Sequence, residues 1–158
     1  MAIFLRVGKE IIEAIEQGGS DPAELLKYIP YYQRLILDDS IEAIDYTLER
    51  VFGDKEPYSL ITYEGEILAT PDGEAFIPDL LEFEFEDGSG FVLAEPAVYK
   101  LPQEVSAAYE LMNKVDYTQF KKRSKLKKDM LEEVWNDFEQ LKNLFAEAVK
   151  EGQYIILL

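Results

Sequence analysis

Apolar positions along the chain change period several times, and each change marks a new element. Residues 2–7 form a short apolar stretch with the pattern of a strand, after which Ile11, Ile12 and Ile15 recur at the spacing of one helical face. Gly18-Gly19 ends that helix. Ser20-Asp21-Pro22 starts the next, with Asp21 able to cap it and Pro22 at the first helical position, where its missing N–H is harmless. This second helix is predicted to run to about residue 29, where Pro30 stops it. The cluster Asp38-Asp39-Ser40 then offers N-caps to a third helix, whose Ile41, Ile44, Leu48 and Val51 make one stripe and which Gly53 closes.

From residue 58 to residue 101 the period is nearer two. Turn signals at Glu64-Gly65, Asp72-Gly73 and Asp87-Gly88 predict hairpins of a small antiparallel sheet. The clearest strand spans residues 81–86, where Leu81, Phe83 and Phe85 alternate with outward-facing Glu82, Glu84 and Glu86. Two further short strands are predicted at 90–94 and 97–101, around Pro96. Pro102 and Glu104 open a helix to about residue 113. The longest element is a helix from about 124 to 151, with Leu131, Val134, Trp135, Phe138, Leu141, Leu144, Phe145 and Ala148 in one stripe and Gly152 as its cap. Residues 154–158 are wholly apolar and β-prone, as for a buried strand inside the sheet.

This order of elements predicts an α+β fold: a small, mainly antiparallel or mixed sheet, packed helices, and a long carboxy-terminal helix followed by a terminal strand. Neither an internal repeat nor a low-complexity linker divides the chain, so residues 1–158 read as one domain.

Composition narrows the chemistry. A hydrophobic fraction of 47% is too rich for a disordered chain. There is no cysteine and no histidine, which excludes thiolate nucleophiles, zinc–thiolate sites and imidazole acid–base catalysis. With 32 acidic against 16 basic residues the formal net charge is −16, which repels nucleic acid and anionic membranes and attracts basic partners. The apolar start is too short for a signal peptide and no later run approaches a bilayer span, so the expected location is the cytoplasm.

Four patterns stand out as candidate chemistry. Asp38, Asp39, Glu42 and Asp45 crowd one helix start, with 38, 42 and 45 on a shared face. They suit either Mg²⁺ or Ca²⁺, or simple stabilisation of the helix N-terminus, and no EF-hand spacing supports the metal. Glu82, Glu84 and Glu86, continued by Asp87, form a docking face for a basic protein, a charge ladder resembling a nucleic-acid backbone, or the solvated face of a half-buried strand. Lys121, Lys122, Arg123, Lys125, Lys127 and Lys128 concentrate six of the 16 basic residues and read as a solvated loop and first helical turn, or as an anion site. Tyrosines including Tyr28, Tyr31, Tyr32 and Tyr46 suit a pocket lining or the rim of a core. Gly88-Ser89-Gly90 lacks the lysine and spacing of a phosphate loop, and no nucleophile elbow is present. No catalytic residue, metal ligand or cofactor is implied.

Three stretches resemble the YfbM-like family of bacterial domains of unknown function. One is the long helix from Trp135 to Gly152 with the terminal run 153–158. The others are Glu95-Pro96-Ala97-Val98-Tyr99-Lys100 with its following Pro-started helix, and residues 37–48. The resemblance implies an α+β fold and no particular reaction. Where the family pattern has Gly, Arg, Trp and His, this chain has Glu95, Val98, Ile41 and Asp45, so a shared site built on those polar residues would be missing here.

Charge without catalytic apparatus points to a non-enzymatic acidic interaction protein. The expected role is that of an inhibitor or immunity-type partner of a basic protein, docking through Glu82, Glu84, Glu86 and Asp87, with neither nucleic acid nor membrane as target. The alternative is a small-molecule or cation binding domain, including a carboxylate-based enzyme.

Overall fold

A computed structural model of the protein describes residues 1–75, 77 and 96–158. Its centre is a five-stranded sheet in the order β2-β1-β7-β6-β3, every pairing antiparallel. β1 (Ala2–Val7) is buried at all six positions, because it pairs with β2 (Arg34–Leu37) on one side and β7 (Tyr154–Leu157) on the other. That two-sided burial explains its unbroken apolar run. β6 (Val98–Lys100) lies on the far side of β7, and β3 (Glu66–Ile67) forms the other edge.

Side-chain alternation sends the strand residues into two apolar layers. Ala2, Phe4, Ile155 and Leu157 pack against α3 (Ser40–Phe52), α4 (Pro102–Asn113), α5 (Tyr117–Ser124) and α6 (Lys128–Glu151). The stripe predicted for α6 is the backbone of that layer: every member is buried except half-buried Trp135. Phe138 stacks on Phe120 of α5 at 5.4 Å, and Trp135 closes the cluster against Tyr117. On the opposite face, Ile3, Leu5, Val7 and Ile156 meet Ile12 and Ile15 of α1 (Lys9–Gln17) and Leu26 of α2 (Pro22–Lys27). The small hairpin of β4 (Ala69–Thr70) and β5 (Gly73–Glu74) adds Leu68 and Ala75 to this side.

The expected α+β fold with a long carboxy-terminal helix and a terminal strand is therefore observed. Particular elements differ. α2 ends at Lys27, short of residue 29, because the Arg34 guanidinium takes the carbonyls of Lys27 and Ile29 (both 2.6 Å) and Pro30 disfavours helical geometry before it. The cap at Asp38-Asp39-Ser40 is not made: Asp39 already has helical backbone angles, and its carboxylate bonds no amide. Glu64-Gly65 does not turn a hairpin, since β3 pairs with the distant β6, whereas Asp72-Gly73 does, between β4 and β5. The long helix begins at Lys128. The segment before it is the separate α5, ended by Lys125 in left-handed conformation (φ 56). Lys121, Lys122 and Arg123 consequently occupy the last turn of a helix, where cations complement the dipole, and not the first turn of one. The strands expected at 81–86 and 90–94 lie outside the described residues.

Phe138 sits where α5, α6 and the sheet-facing layer meet. Phe138→Ala is expected to cost about 3–5 kcal/mol in urea unfolding. Met130→Ala, at an exposed position of the same helix, is expected to stay within about 0.5 kcal/mol of the parent. Equal losses in the two variants would refute this account of the core.

Candidate functional site

Packing α3 against α6 brings the acidic cluster at residues 38 and 39 beside acids distant in sequence. Asp38, Asp39 and Ser40 form one wall of a cleft of about 210 Å³, and Met130, Glu133, Val134 and Asp137 of α6 form the other. The four α6 residues fall at i, i+3, i+4 and i+7, one helical face, which is why they line it together. Ala43, Met130 and Val134 supply apolar surface and four carboxylates the rim. No described cation forms an ion pair with any of the four. The Ser40 hydroxyl oxygen is buried without a hydrogen-bond partner. The predicted cluster is only partly realised: Glu42 does not line the cleft, and Asp45 accepts a hydrogen bond from the Thr62 hydroxyl. Among the described residues no group of acidic side chains is arranged to hold a metal ion.

The most buried cation is Lys100, with no exposed surface, on β6. Its ammonium donates to the Thr62 carbonyl at 2.9 Å and to the Glu64 carbonyl, fastening the segment after α3 to the sheet. Burial lowers its pKa from 10.5 to about 8, against the opposing pull of the Glu104 and Glu64 carboxylates. A lone lysine in a short strand carries no signal of burial in the sequence.

Arg6 is the second buried cation, 7% exposed, and it faces α6 from β1. Gly152, in left-handed conformation, ends α6 with bonds from its own amide to Val149 and from the Gln153 amide to Ala148 (2.8 Å). This turn sets Gln153 beside β1, where its side-chain oxygen accepts a 2.8 Å bond from Arg6 Nη1. Of the tyrosines, Tyr32 covers Arg6 (5.5 Å from ring centre to guanidinium carbon) and Tyr31 covers Arg34 (5.0 Å). Tyr28 is exposed. Tyr46 lies in a wider cleft of about 530 Å³ with Glu49, Arg50, Asp54, Tyr58 and Lys125, the one member of the basic run gathered there. Burial, then the carboxylates of Glu49, Asp45 and Asp54, raises the Tyr58 phenol above its ordinary 10.0. The predicted docking residues Glu82, Glu84, Glu86 and Asp87 lie outside the described residues.

Comparison with known proteins adds family and fold. Residues 92–158 match the family model of a domain of unknown function, DUF1877. The protein of unknown function YfbM from Escherichia coli has the same fold, with a TM-score of 0.63 at 13% identity over 99% of this chain and 97% of that chain. A YfbM-like domain of unknown function is thus borne out. No curated protein matches the sequence. At such identity the likeness of the YfbM-like domain to its structural relative concerns the fold alone. Among its described residues no helix is long and apolar enough to cross a membrane.

Lys100 predicts a pH effect of defined sign. The unfolded chain keeps this proton up to about 10.5 and the folded chain only to about 8, so between those values the unfolded state binds more protons and stability rises with pH. Above about 10 the raised tyrosines Tyr58 and Tyr99 act in the opposite sense, because the unfolded phenols ionise first. Between about pH 8 and 10, wild type is expected to gain stability relative to Lys100→Met in urea titrations. Parallel curves for the two proteins would show that Lys100 is not perturbed.

Proposed function

We propose that this protein is a non-enzymatic acidic interaction protein that covers a basic surface on a partner protein, in the manner of an inhibitor or immunity-type protein. The observation that supports the reading best is the acidic cleft between α3 and α6, with its four carboxylates unpaired among the described residues. A lysine or arginine of the partner would set its charge among Asp38, Asp39, Glu133 and Asp137 and lay its aliphatic stem on Met130 and Val134. A volume of about 210 Å³ suits one such side chain. The net charge of −16 adds long-range steering toward a basic surface, which salt weakens. Glu82, Glu84, Glu86 and Asp87 would serve as a second docking segment. We read the protein as a single cytoplasmic domain.

A pull-down at low and moderate salt tests this with three proteins: wild type, Asp38→Asn/Glu133→Gln/Asp137→Asn, and Glu82→Gln/Glu84→Gln/Glu86→Gln, all checked for folding by circular dichroism. Wild type is expected to retain a specific basic protein, less of it at the higher salt, and the cleft variant to bind it about tenfold or more weakly. Retention of no basic protein, or equal retention by the cleft variant, would sink the proposal. The outcome for the second variant decides whether residues 82–87 share in docking.

A further inference from the structure

We infer that the cleft between β1, the Tyr31–Gln33 turn and the second half of α6 binds a small free oxyanion, a carboxylate or a phosphate, through the guanidinium of Arg6. A charge on a central strand that is only 7% exposed calls for a partner of opposite sign, and among the described residues no carboxylate forms an ion pair with Arg6. Its Nε is buried with no hydrogen-bond partner at all. A buried donor left unmade costs stability, and a ligand that accepts from it recovers that loss.

The geometry selects the ligand. Nη1 is already committed to the Gln153 side chain at 2.8 Å, and Tyr32 covers one face of the guanidinium. The edge that remains carries Nε and Nη2, whose parallel N–H bonds match two oxygens of a carboxylate or phosphate. Arg6 lines a cleft of about 220 Å³ that Gln140 and Asn143, three residues apart on α6, border with amide donors. Arg34 lines it too, its guanidinium fixed by the carbonyls of Lys27 and Ile29, so a second positive charge is held in place. Glu147 is the one carboxylate on the lining; it is exposed and makes no ion pair with Arg6. The lining thus carries two guanidinium groups and one carboxylate, and acids beyond a Debye length of about 8 Å are screened from it.

The test is a ¹H–¹⁵N NMR titration that follows the Arg6 Nε–H. Sodium acetate and inorganic phosphate serve as separate probes, at constant ionic strength with chloride as the balancing salt. A saturable shift at Arg6 Nε–H and at the Gln153 side-chain amide is expected with at least one probe. Acetate alone would identify a carboxylate site and phosphate alone a phosphate site. Asn143→Asp places a carboxylate at the exposed rim without touching the core and is expected to weaken binding about tenfold or more, whereas Glu147→Gln removes a competing charge and is expected to tighten it. The inference is overturned if neither anion shifts Arg6 Nε–H saturably, or if Asn143→Asp titrates like wild type.

Discussion

Antiparallel pairing between the first strand and the last, Phe4 against Leu157 and Val7 against Tyr154, joins the two halves of the molecule. β7 also bonds β6 along its other edge, so β2–β1 and β6–β3 belong to one sheet only through it. Backbone bonds between Ile3 and Leu158 in both directions extend the union to the final residue. The same insertion divides the core, sending Ile155 and Leu157 to the four-helix side and Ile156 to the α1–α2 side. A contact between the ends of the chain is among the most costly in loop entropy, and the burial of β7 between β1 and β6 with apolar side chains on both faces offsets that cost. The αL turn at Gly152 positions β7, and it also positions Gln153 against Arg6. The architecture of the sheet and the shape of the Arg6 cleft therefore have one local origin.

What could be read from the sequence was whatever depends on local pattern. α6 was legible because 24 residues carry one stripe and end at a glycine, and β7 because an apolar run follows that cap. The Pro-started helix from Pro102 to Asn113 was legible at both ends. β2 was not: four residues between two turns, only Leu37 of them buried, leave no period to detect. α5 escaped for the converse reason, since Phe120 and Ser124 are its only buried residues and its polar remainder reads as loop. Lys125 ends that helix in the left-handed region without being a glycine, so no break was visible before α6.

The candidate sites were less legible than the fold, for a physical reason. Asp38 and Asp39 were recognisable as an acidic helix start, but Glu133 and Asp137 reach them only because α3 packs against α6. Their own signal is a pair of acids one turn apart beside the apolar stripe of α6, which is ordinary for an exposed helix face. Arg6 and Gln153 are separated by 147 positions, and only β1–β7 register brings them together. The family resemblance helped with the fold and could not help here, because it concerned elements and not the partners of single side chains.

In a chain with twice as many acids as bases, the charged side chains buried among the described residues, Arg6 and Lys100, are both cations. They stand on the two strands that flank β7, each directly opposite Ile155, on the face that meets the four helices. A net negative surround favours a buried positive charge over a buried negative one, which accounts for the sign. It does not account for the difference between the two. Lys100 has carbonyl partners from Thr62 and Glu64 and serves to fasten a loop, so nothing remains for a ligand to supply. Arg6 is likewise buried, but its Nε lacks a partner and it borders an open cleft. Burial with unequal satisfaction separates a structural cation from one that is poised to receive an anion.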